Sequence, residues 1–183
     1  MSDAASGLPE TLRSEAVFSG PIFDVVRDTL RFPDGEQFDR FVVRHPGAVA
    51  LIVIDDADRW LLVRQYRHPT GVELLEVPAG GIEPGESPRE TAAREVREET
   101  GFAAGSLQPI GGSWMVPGWG DEYMHYFVAR ELRRDPLPQD DDERLSAPLP
   151  MTIEELHAAV DDGTIVDAKT LVALLLFERS QRQ

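Results

Sequence analysis

Three glutamates, Glu95, Glu98 and Glu99, fall within the thirteen-residue stretch PRETAAREVREET, three and four positions apart. On a helix that spacing stacks their carboxylates along one side, where they repel one another and are only partly offset by Arg94 and Arg97. A hard divalent cation would offset the rest, because Mg2+ takes oxygen ligands, keeps several waters and commonly shares a few carboxylates with substrate phosphates. The same composition also describes a solvated Glu/Arg face held by i,i+4 pairs, so the elements around it decide. Ser87 is a good N-cap, Pro88 suits the first helical position and Glu90 stands where a capping box needs its return partner. Gly101 can adopt the left-handed conformation that ends a helix, which predicts a helix over Pro88–Thr100 with Ala92, Ala93 and Val96 as a narrow apolar stripe.

Gly80, five residues, Glu86, seven residues, then Arg94-Glu95-Val96-Arg97-Glu98-Glu99-Thr100-Gly101-Phe102 resembles the Nudix box at each of its specified positions. The resemblance implies a Mg2+-dependent hydrolase, with Mn2+ as a substitute, that cuts a nucleoside diphosphate linked to another group. It implies Glu95 and Glu99 as principal metal ligands, Glu98 as an assisting ligand and catalytic residue, and the Ala79 carbonyl as a further ligand. Glu86 and Arg94 would brace the loop against the helix, with Gly80 and Gly101 as structural positions. The fold implied is an α/β/α sandwich around a mixed sheet.

The 183 residues suit a single sizeable core, and the absence of cysteine excludes disulfides and thiolate zinc sites. The first residues lack a basic region followed by an apolar run, so no signal peptide is expected. The longest apolar run, Leu171–Phe177, is far too short for a membrane span, and a cytoplasmic protein without membrane contact is expected. A formal charge of −15 argues against nucleic acid as a partner, since phosphate backbones call for basic patches. The same charge denies a phosphorylated substrate any long-range attraction, leaving metal and a few placed arginines to hold it.

Val17–Phe32 and Phe38–Arg44, on either side of Pro33-Asp34-Gly35, predict an N-terminal hairpin of two strands. Residues 1–14 are polar and expected to be ordered only where a neighbour holds them. Gly47–Ile54 is a continuous apolar run, as in a strand buried on both faces, and Trp60–Tyr66 is its returning neighbour. Leu74–Pro78 then feeds the glycine loop. Strands over Leu107–Trp114 and Tyr123–Ala129 follow the box, and helices over Met151–Val160 and Asp167–Arg179 close the chain. The expected division is an extension over 1–45 and a Nudix domain over 46–183. His45, His68, His125 and His157 share no metal-ligand spacing.

Several further features resemble the ADP-ribose-hydrolysing branch of the family. Pro117 lies 16 residues beyond Gly101 and opens Pro-Gly-x-x-Asp-Glu, a form similar to that branch's marker. Arg40, five residues before His45, and Arg67, in Gln65-Tyr66-Arg67, match arginines that line the ADP-ribose site in relatives, where a planar fork suits phosphate oxygens. The branch also implies a homodimer in which the N-terminal strands exchange and supply an aromatic ring to adenine. Phe18 or Phe23 could be that ring; equally, both could be plain core residues. Glu76 is either a substrate- or metal-associated acid or an edge-strand glutamate facing water. Asp135–Pro150, rich in proline and acid, corresponds to a loop that brings in the acid acting on the attacking water. Asp141 matches by position and Glu143 by reach, but relatives carry Glu where Asp141 stands, and Pro148 interrupts the apolar strand that usually follows. The activity implied is cleavage of ADP-ribose to AMP and ribose 5-phosphate. The alternatives are another nucleoside diphosphate sugar such as GDP-mannose, or a non-catalytic domain that senses ADP-ribose.

Overall fold

The computed structural model describes residues 7–138 and 145–182. The chain forms two compact units, one running to Pro46 and including Trp114–Glu122, the other comprising Gly47–Ser113 and the chain from Tyr123 on.

In the first unit, β1 (Glu10–Ser19), β2 (Asp24–Arg31) and β3 (Gln37–Arg44) form an antiparallel sheet in that order. The two expected strands are three: Val17–Phe32 is interrupted at 20–23, so Val17–Ser19 end β1, which begins at Glu10, and β2 pairs with β3 across the turn at Gly35 with φ 92. The sequence of β1 is largely polar and exposed, so no burial pattern announces it. Charge pairing across the ladder supports it instead: Glu10 stands opposite Arg31 and Glu15 opposite Arg27, and each pair forms an ion pair. The Trp114–Glu122 segment joins β3 through Val43, whose N–H donates to the Trp119 carbonyl (2.8 Å) and whose carbonyl accepts from the Asp121 N–H (3.1 Å). Arg44 bridges Asp28 (2.7 Å) and Asp121 (2.9 Å) beside it.

The second unit contains β4 (Ala48–Val53), β5 (Trp60–Arg67), β6 (Val72–Glu76), β7 (Ala79–Gly81), α1 (Pro88–Thr100), β8 (Phe102–Trp114), β9 (Tyr123–Arg134), β10 (Leu149–Met151), α2 (Ile153–Asp161) and α3 (Ala168–Ser180). One sheet has the order β7-β4-β9-β8 and is mixed, with β4 parallel to β9 and antiparallel to β7. The other, β10-β5-β6, is antiparallel. Every residue of β4 is buried. Its alternation sends Val49, Leu51 and Val53 into a cluster with Ala92 and Val96 of α1 and Phe127 and Ala129 of β9. Ala50 and Ile52 point the other way; α3 also packs on β4 and β9, and its Phe177 meets Trp60 edge-to-face at 5.2 Å. Side chains buried as completely as Leu51, Ile52 and Leu62 each contribute about 1.5–3 kcal/mol by leaving water. That core fixes α1 against β4 and β7, and with it the face that carries the glutamates.

Candidate active site

The helix α1 begins where local chemistry demands. Ser87 accepts from the Glu90 N–H, the Glu90 carboxylate returns to the Ser87 N–H, and Pro88 occupies the first helical position. It ends at Gly101, whose φ of 77 lets its N–H close on the Arg97 carbonyl. Between these caps Glu95 and Glu99 are buried, and Glu98 is mostly covered.

Arg94 organises the loop and this face together. Its fork grips Glu86 (Nε to Oε1 and Nη2 to Oε2, both 3.0 Å), while Nη2 also reaches the Gly81 carbonyl at 3.1 Å. Nη1 donates to Glu95 Oε1 (2.6 Å) and Glu98 Oε2 (2.8 Å). The Glu86 bonds come first in raising the pKa of Arg94 above its ordinary value, against the opposing effect of burial. In return Arg94, with help from the Thr91 hydroxyl and the Glu83 N–H, holds the Glu86 carboxyl down at about 2.

Gly80 explains how Glu95 sits. A Cβ built there would lie 1.8 Å from Glu95 Oε1, so the carboxylate occupies the space that any larger residue would fill. Glu99 approaches the same loop, its Oε1 lying 3.4 Å from the Ala79 N–H. Carboxylates and a neighbouring backbone carbonyl are the hard oxygen donors that Mg2+ or Mn2+ takes, and the glycine cradle brings them to the loop, so the residues fit such an ion. In the arrangement present, Arg94 is the cation for Glu95 and Glu98. Among the described residues no three His, Asp or Glu side chains already converge as a ligand set.

Glu76 does not face water. It is 1 % exposed and accepts the Arg67 fork, from Nε at 3.0 Å and Nη2 at 2.6 Å, together with the ammonium of Lys169. Burial pushes its carboxyl up, but these two cations outweigh burial and hold it below the ordinary value. Arg67 is itself partly buried, which disfavours its charge; the bonds to Glu76 and the fields of Glu76, Glu99 and Asp167 more than compensate.

In the N-terminal unit, Arg40 is exposed, with its guanidinium 5.6 Å from the Phe38 ring centre and Nη1 on the Asp39 carbonyl. Phe18 and Phe23 are 53 % and 40 % exposed with centroids 6.0 Å apart, so neither is a plain core residue within one chain. Pro117 lies in an exposed turn closed by Trp119 and Gly120 N–H groups on the Val116 carbonyl. Asp141 and Glu143 lie outside the described residues. Sequence reasoning missed Lys169, and it missed Thr91, whose hydroxyl donates to Glu86 at 2.8 Å. Composition did carry a signal for the first, since Lys169 is the one lysine among eighteen Lys and Arg residues.

A mixed sheet carrying a glycine loop that cradles glutamates of a capped helix defines the Nudix class of domain. Residues 43–174 match the NUDIX domain model, and this chain belongs to the Nudix family. Residues 10–43 match the model described as a nucleoside diphosphate sugar hydrolase N-terminal domain. The chain is 36 % identical over 167 residues to the ADP-ribose pyrophosphatase of Bacillus subtilis (strain 168), covering 90 % of each chain. It is 38 % identical to the ADP-ribose pyrophosphatase of Mycobacterium tuberculosis (strain ATCC 25618 / H37Rv), over 91 % of this chain and 81 % of that one. A crystal structure of an ADP compounds hydrolase superimposes with a TM-score of 0.83 at 27 % identity, spanning 99 % of this chain and 97 % of the other.

Proposed function

We propose that this protein hydrolyses the diphosphate of ADP-ribose to AMP and ribose 5-phosphate, using Mg2+ with Mn2+ as a substitute. The observation that carries it is the seating of Glu95 against Gly80, in a helix whose neighbouring Glu98 and Glu99 are also largely buried. Two relatives named as ADP-ribose pyrophosphatases, similar over about nine-tenths of this chain, support the substrate.

Glu95 and Glu99, with Glu98 and the Ala79 carbonyl, would hold the metal. When bound, it would neutralise the diphosphate oxygens and make a water more acidic. Arg67 engages Glu76 through Nε and Nη2, which leaves its Nη1 for a phosphate oxygen. Arg40 would be a second arginine for the substrate. Phe18 or Phe23 would stack on adenine, and Pro117 would contribute to substrate binding. Asp141 or Glu143 would orient the attacking water.

The exposed Phe18, Phe38 and Phe41 on β1 and β3 favour a homodimer in which residues 1–45 act as an exchanged extension. A cytoplasmic location goes with a nucleoside diphosphate substrate. Among the described residues no helix is long and apolar enough to cross a membrane.

The test is product release from ADP-ribose, GDP-mannose, diadenosine polyphosphates and NADH with Mg2+, beside Glu99→Gln. Preference for ADP-ribose and a loss of at least about a hundredfold in the variant support the proposal. Preference for GDP-mannose moves the substrate. Metal-independent binding of ADP-ribose without turnover makes the protein a sensor.

A further inference from the structure

Lys169 stands where a cation is hardest to keep. It is the second residue of α3, two positions after the N-cap Asp167, and the partial positive charge of a helix N-terminus disfavours an ammonium there. It is also 7 % exposed, so its charge has lost most of its water. Seventeen arginines serve the chain elsewhere, and one lysine is used here.

Two carboxylates offset the cost, Asp167 at 3.1 Å and Glu76 across the strand-helix boundary. A compact ammonium can donate to both at once, which the planar fork of arginine does poorly in a confined space. The backbone around it is fixed without it. Thr170 donates from Oγ1 and N–H to Asp167, and the Val77 N–H donates to Thr170 Oγ1 at 3.0 Å, pinning α3 beside the residue that follows Glu76. What the ammonium adds is therefore charge at Glu76. Arg67, Glu76, Lys169 and Asp167 sum to zero; without Lys169 the set carries a net negative charge behind Arg67, with Glu99 also in reach of Arg67.

We propose that Lys169 is a positioning residue for substrate. It neutralises Glu76 from the buried side, so that Arg67, locked by the same carboxylate, keeps its positive charge available to a substrate phosphate. The inference rests on the reading of Arg67 as a phosphate-binding arginine. Lys169 acts only through Glu76 and Arg67.

The experiment compares KM, kcat and thermal midpoint for wild type, Lys169→Met, Glu76→Gln, the double variant and Arg67→Gln, with ADP-ribose as substrate. Lys169→Met is expected to raise KM about tenfold with kcat changed by less than about threefold. Adding Glu76→Gln removes the uncompensated charge, although the lock on Arg67 goes with it, and lowers KM by at least about threefold from that of Lys169→Met, a partial rescue that a purely structural role would not give. An unchanged KM in Lys169→Met, or a double variant worse than the single, overturns the proposal. An unchanged KM in Arg67→Gln overturns it too and separately removes Arg67 from the substrate site. Calorimetric binding of ADP-ribose carries the same comparison without turnover, so a wild type that binds but does not hydrolyse ADP-ribose sinks the hydrolase reading alone. Absence of binding as well overturns both.

Discussion

Gly80 shows how a residue without a side chain can set the position of one with chemistry. The atom that a new Cβ would strike is the far end of the flexible Glu95 side chain, so Gly80→Ala need not disturb the fold, because the carboxylate can swing away. It would then leave its seat beside the loop. We predict that Gly80→Ala lowers kcat by at least about tenfold while its thermal midpoint moves by no more than about 3 °C; a variant with full activity would show that the cradle is dispensable. Glu86 makes a different prediction. Its carboxyl falls from an ordinary 4.5 to about 2 through Arg94, Thr91 and the Glu83 N–H. A depressed acid contributes stability above its unfolded pKa and loses it as pH falls through the folded value. The thermal midpoint should therefore drop between about pH 4.5 and 2 more steeply in wild type than in Glu86→Gln, measured by calorimetry across that range. Equal slopes would mean that Arg94 does not stabilise the charged form of Glu86.

At the scale of elements, α1 carries its own boundaries. Both caps observed are local, and each was legible because Ser87, Pro88, Glu90 and Gly101 act within one turn of themselves. Ser87→Ala should cost about 1 kcal/mol and lower the thermal midpoint by about 2–4 °C; a shift below 1 °C would make the cap redundant with tertiary packing. The buried strand β4 was equally readable, because burial on both faces leaves an uninterrupted apolar run. Strand β1 was not, because what holds it is a ladder to β2 with opposed charges at Glu10–Arg31 and Glu15–Arg27, and neither partner is visible from within β1. The same limit applied to Glu76. Its position before the glycine loop suggested an acid of the site or a water-facing edge, whereas its partner Lys169 lies 93 residues along the chain. Local patterns therefore reveal the carboxylate helix, and the polar network of Glu76 appears only once β6 and α3 are brought together.

The whole molecule sets a condition that its site must overcome. A formal charge of −15 repels a diphosphate at long range, while Arg67 and bound metal would attract it only at short range. Salt separates the two effects. The screening length is about 8 Å at 0.15 M ionic strength and about 30 Å at 0.01 M, so lowering salt extends the reach of the distributed negative charge. Contacts in the partly buried site are already inside either length and change less. KM for ADP-ribose should therefore rise as ionic strength falls at fixed free Mg2+, with kcat nearly constant. Substrate steered by a local positive field would give the opposite slope. The oligomeric state enters the same measurement, because a dimer brings together two chains of like charge and its apolar contacts must overcome that repulsion. If Phe18, Phe38 and Phe41 supply those contacts, light scattering should report twice the chain mass at 0.15 M salt, a looser assembly at 0.01 M, and a monomer for Phe41→Asp. A wild-type monomer at every salt concentration would remove the exchanged extension and leave the adenine ring to be held within one chain.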